Sequence, residues 1–171
     1  MIPGASRWPY RDDNLRVIPN TPTSWTLQAA QRIAREKNYG HNEKLTVYVN
    51  GWLTETRGIK TILEAVKQMK TGSLRIIVAG PARCDEAWEL LERKDVAYLG
   101  TLPTDQSLAL YYDSDLVMTF YDPAIEINRL AEPNKWQDCI ATGTPFVVND
   151  EVQTARPFAD SEACFTVPYH D

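Results

Sequence analysis

An unbroken alternation of short apolar runs with amphipathic helical patterns constrains this chain more than any other feature. The runs are Leu45–Asn50, Leu74–Ala79, Val96–Leu99, Leu116–Phe120, Pro145–Asn149 and Cys164–Val167, each four to six residues long. Residues apolar at consecutive rather than alternate positions suit strands buried on both faces. Between them lie helical patterns at Ile59–Lys70, Asp85–Arg93, Thr104–Ser114 and a stretch from Pro133 to Gly143. Ile59, Ile62, Leu63, Val66 and Met69 form the cleanest apolar stripe. Ahead of the first run, Ser24–Lys37 places Leu27, Ala30, Ile33 and Ala34 at helical spacing behind a Thr23/Ser24 cap, with Asn38-Tyr39-Gly40 as the stop. Residues 1–24, rich in Pro, Asn and Asp, read as loop with one short edge strand at Val17-Ile18, and Val152–Phe158 as a broken short helix. Strands alternating with helices require a parallel sheet covered by helices on both faces.

The Pro133–Gly143 stretch carries most of the functional information. Pro133 suits the first helical position, where its missing N–H would lack a partner in any case, and Gly143 suits the left-handed residue after the last turn. Trp136, Cys139, Ile140 and Gly143 fall at i, i+3, i+4 and i+7, a stripe expected to face a core. Asn134, Lys135 and Asp138 share another face near the N-terminus, where the helix dipole is positive.

Composition narrows the field. The 171 residues with 43% hydrophobic content support one domain with a real core, so residues 1–171 are read as a single domain. No apolar run is long enough to span a bilayer, and the first residues lack a signal-peptide layout. Cys84, Cys139 and Cys164 are odd in number and widely spaced, and only two histidines accompany them. Neither a disulfide frame nor a zinc site follows, and a reducing cytoplasm fits best. A net charge of −5 without a basic run argues against a nucleic-acid partner. Asp113-Ser114-Asp115 looks like a metal-binding pair, but it sits where a helix ends and a strand begins, so capping and packing explain it better, and no metal is expected. His41 and His170 have no nucleophile partner for a hydrolase triad, and neither a Gly-x-Gly-x-x-Gly nor a P-loop follows a strand, which counts against dinucleotide binding and NTPase chemistry.

Ligands of open α/β sheets sit beyond the carboxyl ends of the strands, so the loops after Asn50, Ala79, Leu99 and Phe120 should share one rim. Six segments along the chain then resemble, in order, the C-terminal half of GT-B fold glycosyltransferases of the group 1, retaining family. They are Ile18-Pro19-Asn20; Gly51-Trp52-Leu53 with Arg57-Gly58; Ile76–Gly80; Val96–Gly100; Leu108–Asp115 with its Tyr111-Tyr112; and Pro133–Asp138 followed by Ala141–Pro145. The resemblance covers most of the chain and implies a Rossmann-like domain, one half of a GT-B fold. It implies a nucleoside-diphosphate sugar, with UDP or GDP as the nucleotide, held in a cleft against an N-terminal domain that carries a polysaccharide, lipopolysaccharide or glycolipid acceptor. That partner domain and the family's last helix are expected to lie outside residues 1–171, leaving an isolated domain with weak donor binding. Membrane association is expected only through that domain or a lipid acceptor, and no cofactor is expected.

Residue roles follow from the resemblance. The family holds the ribose hydroxyls with a carboxylate one turn into the helix, here Asp138, an Asp where Glu is usual; the alternative is a solvated Asp paired with Lys135. Arg57, Lys135 and the backbone of Asn134 would face the diphosphate, although Lys135 also reads as a surface lysine. Gly51 and Gly58 open the phosphate loop, and Gly80-Pro81 and Gly100 would line the base pocket; each also reads as a plain turn. Trp52 stands where a second phosphate-binding arginine is usual, with Arg83 or Arg129 as substitutes. Leu130 occupies the position, eight before Asp138, of the family's other Glu, which leaves Glu126 as the expected catalytic contact to the donor sugar, or a solvated loop residue. The lost Arg and Glu leave open a non-catalytic docking subunit or degenerate homologue, and the scaffold leaves open an epimerase-type enzyme.

Overall fold

The computed structural model describes residues 18–37, 44–159 and 161–169. Helix α1 (Ser24–Lys37) precedes six strands: β1 (Thr46–Asn50), β2 (Arg75–Ala79), β3 (Val96–Tyr98), β4 (Leu116–Thr119), β5 (Phe146–Asn149) and β6 (Cys164–Val167). Their crossovers carry α2 (Ile59–Gln68), α3 (Asp85–Leu91), α4 (Thr104–Tyr112), α5 (Asn134–Thr142) and the four-residue α6 (Arg156–Ala159). All pairings are parallel, in the order β3-β2-β1-β4-β5-β6. The expected α/β class is observed.

Alternate residues of every strand but the edge strand β3 feed two cores; β3 is mostly exposed and adds only the half-buried Val96. Tyr48, Ile77, Ala79, Val117, Phe146 and Val148 join α1, α4 and α5 on one face. On the other, Val49, Ile76, Val78 and Val147 meet the α2 stripe of Ile59, Ile62, Leu63 and Val66. The period-two alternation of a strand therefore assigns each face its own helices.

The order reverses between β1 and β4: the chain moves outward through β2 and β3, then returns to the far side of β1. At such a switch point the loops leaving neighbouring strands diverge to opposite faces and open a crevice. Here those loops follow Asn50 and Phe120.

Several expectations need correction. Helices α2, α3 and α4 stop one or more turn positions short of the predicted Lys70, Arg93 and Ser114, because last turns fray. Pro133 is the residue before the first helical one, with φ −74° and ψ 147°. Ile140 is 46% exposed, whereas Gln137 is buried. Gln137 donates through Nε2 to Glu132 at 3.3 Å, so the loop before α5 covers a second side of the helix. Of the expected edge strand, Val17 lies outside the described residues, and Ile18 is irregular and 88% exposed. Residues 38–43, which include the predicted helix stop and His41, and His170 also lie outside them. Asp115 plays the expected structural part: its Oδ2 accepts the Thr46 N–H at 2.7 Å, tying α4 to β1.

Candidate functional site

A cleft of about 280 Å³ opens at the switch point, lined by Asn50, Gly51, Trp52, Arg57, Tyr111, Tyr121, Pro133, Asn134, Lys135 and Asp138. Four separate elements supply these groups, and each is fixed by identifiable contacts.

The loop after β1 is stitched to the loop after β2. Gly51 N–H donates to Ala79 O at 2.9 Å, Leu53 N–H to Pro81 O at 3.1 Å and Arg83 N–H to Leu53 O at 3.0 Å, with Leu53 buried beneath. Gly80 is required there. A Cβ on it would lie 1.9 Å from Gly51 O, and its φ of 132° suits no other residue well. From this base a short 3-10 turn, Glu55–Arg57, leads to Gly58, whose left-handed φ of 68° starts α2. A Cβ on Gly58 would meet that of Phe120 at 2.3 Å, so the glycine lets the β1 and β4 loops touch.

The opposite wall is α5. Trp136, wholly buried, donates through Nε1 to Thr119 Oγ1 at 3.0 Å and stacks on Phe146 with ring centroids 5.7 Å apart. Past the helix, Thr144 donates to Tyr111 O at 2.8 Å. No side chain caps the N-terminus of α5, and Asn134 Oδ1 accepts instead from Asn20 Nδ2 at 2.9 Å. The first turn therefore keeps amide donors for something outside the helix.

Lys135 crosses the cleft floor. An added Cβ at Gly51 would lie 3.3 Å from its Cε, so the absent side chain leaves the lysine its path. Burial, followed by the positive Arg57, lowers its pKa to about 8. Arg57 itself is exposed, its guanidinium 4.7 Å from the centroid of the Tyr121 ring. Burial raises the Tyr121 phenol to about 12, against the opposing pull of Arg57, so the ring is a neutral platform for the cation. Two cations thus share one cleft, and among its described lining residues the only carboxylate is Asp138.

Asp138 lies one turn into α5. Burial raises its pKa to about 6, offset by a hydrogen bond from Tyr111 and by the charge of Lys135. The ion pairs among the described residues join Lys67 to Glu89 and Arg93 to Asp95, so a close Lys135–Asp138 pair is not formed. Tyr111 Oη accepts from Asn50 Nδ2 at 2.9 Å, and its hydroxyl also bears on the Asp138 carboxylate.

Of the site residues expected from sequence, Gly51, Arg57, Asn134, Lys135 and Asp138 line this cleft, and Gly58 supports it from behind. Gly80, Pro81 and Gly100 do not line it. They gather beside it, where Gly80 N–H donates to Gly100 O at 2.8 Å and Tyr98 Oη to Gly80 O at 2.9 Å. Glu126 is exposed at the start of a 3-10 turn, Glu126–Leu130, and is not part of the lining. Trp52 forms the outer lip, 61% exposed, with the Arg83 guanidinium 5.4 Å from its ring centroid. Arg129 is turned to Pro123 O at 2.7 Å. Asn50, Tyr111 and Tyr121 were not anticipated as site residues. A polar residue ending an apolar strand at its carboxyl end was the available sign for Asn50.

No family model matches the sequence, and no curated protein matches it. Solved structures do. Sucrose-phosphate synthase from Thermosynechococcus elongatus is 19% identical over 91% of this chain and 40% of its own, with a TM-score of 0.61. AviGT4, a glycosyltransferase involved in avilamycin A biosynthesis, is 17% identical over 93% of this chain and 46% of its own, at 0.59. The C-terminal domain of the group 1 family glycosyl transferase LpcC from Francisella tularensis is 16% identical over 86% and 76%, at 0.54. This chain therefore spans less than half the length of the first two. At these identities the likeness is one of fold.

Proposed function

We propose that this chain, which has the fold of the C-terminal half of a GT-B glycosyltransferase, binds a UDP- or GDP-sugar for transfer to a polysaccharide, lipopolysaccharide or glycolipid acceptor. One observation carries the reading: Arg57 and Lys135 converge on the cleft beside the uncapped start of α5, and each lies within the other's repulsive field. Such an arrangement costs free energy until an anion enters, and a diphosphate matches its two positive charges.

Chemistry follows from the placement. Arg57 can grip two diphosphate oxygens at once, while Lys135 and the α5 amides add point charge and dipole. Asp138 accepts from the ribose hydroxyls, and the backbone around Gly80, Pro81 and Gly100 borders the base. When the bond from the anomeric carbon to the diphosphate oxygen breaks, its electron pair stays on the diphosphate, and these fixed positive groups stabilise that growing charge. With two cations supplied by the chain, neither metal nor another cofactor is required. The acceptor would come on an N-terminal domain closing over the cleft in the cytoplasm, bringing the donor sugar near Glu126; contact with a membrane would pass through that domain or a lipid acceptor. Among the described residues no helix is long and apolar enough to cross a membrane.

A second reading, a donor-binding subunit that docks a partner without turning over, draws support from Leu130, 44% exposed where the resembled family carries a carboxylate.

Titration of the isotopically labelled chain with UDP, GDP and ADP to millimolar concentration tests the site. Amide shifts should concentrate at 57–58 and 134–138 and identify the base by their midpoints; shifts confined elsewhere would sink the assignment.

A further inference from the structure

A buried amide at the base of the cleft has one atom that the protein leaves unanswered. Asn50 is 9% exposed, and its Oδ1 has no hydrogen-bond partner. Its Nδ2 donates to Tyr111 Oη at 2.9 Å.

The orientation of this amide fits its partners. Near neutral pH the Asp138 carboxyl, with a pKa of about 6, is mostly ionised and can only accept. Asn50 Nδ2 donates to Tyr111 Oη, so the single Tyr111 proton can turn toward Asp138. The carbonyl end points away from Tyr111, on a residue that lines the cleft.

A buried acceptor without a donor is a standing desolvation cost that a ligand hydroxyl can relieve. The ligand proposed for this cleft brings a pair of adjacent hydroxyls, each with one proton to donate. Asp138 stands one tyrosine away from Asn50 and has the shorter side chain, Asp rather than Glu. We infer that Asn50 is a ribose-reading residue: its Oδ1 accepts one hydroxyl of the vicinal diol while Asp138 accepts the other. This rests on the nucleotide reading above. It makes the site selective for ribo- over deoxyribonucleotides through two acceptors on two elements, β1 and α5, locked together by Tyr111.

The test compares UDP and GDP with their 2′-deoxy and 3′-deoxy forms, on the whole chain and on Asn50→Ala, by amide titration or calorimetry. One deoxy form should bind the native chain about tenfold more weakly than its ribo parent through loss of the Asn50 contact. In Asn50→Ala that same pair should bind alike, while the other deoxy form keeps its deficit through Asp138. Tyr111→Phe, which keeps the ring but frees the amide to turn, should fall between. A merely structural Asn50 would weaken every nucleotide equally and leave the ratios unchanged, which overturns the inference. So does equal binding of all ribo and deoxy forms to the native chain, a result that needs no variant to fold. If Asn50→Ala alters binding of UDP-glucose or GDP-mannose but not of UDP or GDP, the hydroxyl belongs to the donor sugar and the ribose assignment falls. Absence of any nucleotide binding to the native chain overturns the earlier reading as well, and so separates the two failures.

Discussion

The α5 wall of the cleft and the segment that leads into it are built by different means. Helix α5 is anchored in the core: Trp136 is wholly buried, bonded to Thr119 on β4 and stacked on Phe146 of β5. The preceding segment, Asp122–Glu132, lies outside the cleft lining and is held mostly by its own turns. Asn128 donates to Asp122 O at 3.0 Å, Arg129 to Pro123 O at 2.7 Å and Asp122 N–H to Thr56 O at 3.1 Å, while Ile127 is 74% exposed. The α5 wall, with Lys135 and Asp138, is thus set rigidly by the core, and the segment nearest the proposed donor sugar keeps apolar surface uncovered. Positions set by a core are preorganised, whereas positions set by turns depend on what covers them. Nucleotide binding should therefore belong to this chain, and sugar selection should need the second domain.

The largest effect should appear when the anchor is removed. Trp136→Ala deletes a buried indole and its hydrogen bond, and should cost about 3–5 kcal/mol in urea denaturation. Ile127→Ser, in the segment held by turns, should stay within about 0.5 kcal/mol. Similar costs for the two would erase the distinction.

Much of this contrast was legible in the sequence, for a physical reason. Strand burial and helix stripes are local periodicities, so α1 and β6 have the bounds expected of them, and the α2 stripe is buried from Ile59 to Val66, while Met69, its expected last member, lies past the helix end and is 43% exposed. Burial around α5 was harder to read. Its helix is covered on two sides, so Gln137 goes inside through its bond to Glu132 and Ile140 stays half exposed, and no rule of spacing anticipates a loop that folds back. Among the site groups, Lys135 and Asp138 share one helix face and could be paired on sequence alone. Asn50, Tyr111 and Tyr121 come from three other elements and meet only through the order of the sheet, which places β4 beside β1.

Within the rigid wall, Lys135→Met separates function from stability. The folded chain holds the Lys135 pKa at about 8, below its ordinary value, so the folded state binds that proton less well than the unfolded one. The penalty is complete below pH 8 and fades as pH rises toward the unfolded pKa of about 10.4. Removing the ammonium at pH 7 should raise stability by about 1 kcal/mol, the low end of the range because the side chain keeps some solvent contact, and should weaken UDP or GDP binding by at least about tenfold. A Lys135→Met chain that is less stable yet binds normally would mean the lysine packs rather than pairs.

Affinity should also depend on pH in a smaller, two-sided way. Asp138 loses acceptor capacity as pH falls through about 6, and Lys135 loses its charge as pH rises through about 8. The strongest binding by calorimetry should lie between them, with the upper limb moved to higher pH in the complex because the diphosphate favours the charged lysine. Asp138→Asn should flatten the acid limb to the part that belongs to the terminal phosphate of UDP or GDP, which itself titrates at about 6, and leave the alkaline one.

The smallest effect is expected at Glu126. Its carboxylate is exposed, outside the cleft lining, and in the segment held by turns. Glu126→Gln should leave UDP and GDP affinity unchanged within about twofold and stability within about 0.5 kcal/mol, as for other exposed substitutions. Its consequence should emerge only when a donor sugar lies across the cleft and an acceptor domain covers the loop. Transfer measured with that domain supplied in trans should then fall, and nucleotide affinity should not. A drop in UDP or GDP affinity on the chain alone would place Glu126 among the nucleotide-binding groups, and α5 and the turn-held segment would then differ in packing but not in function.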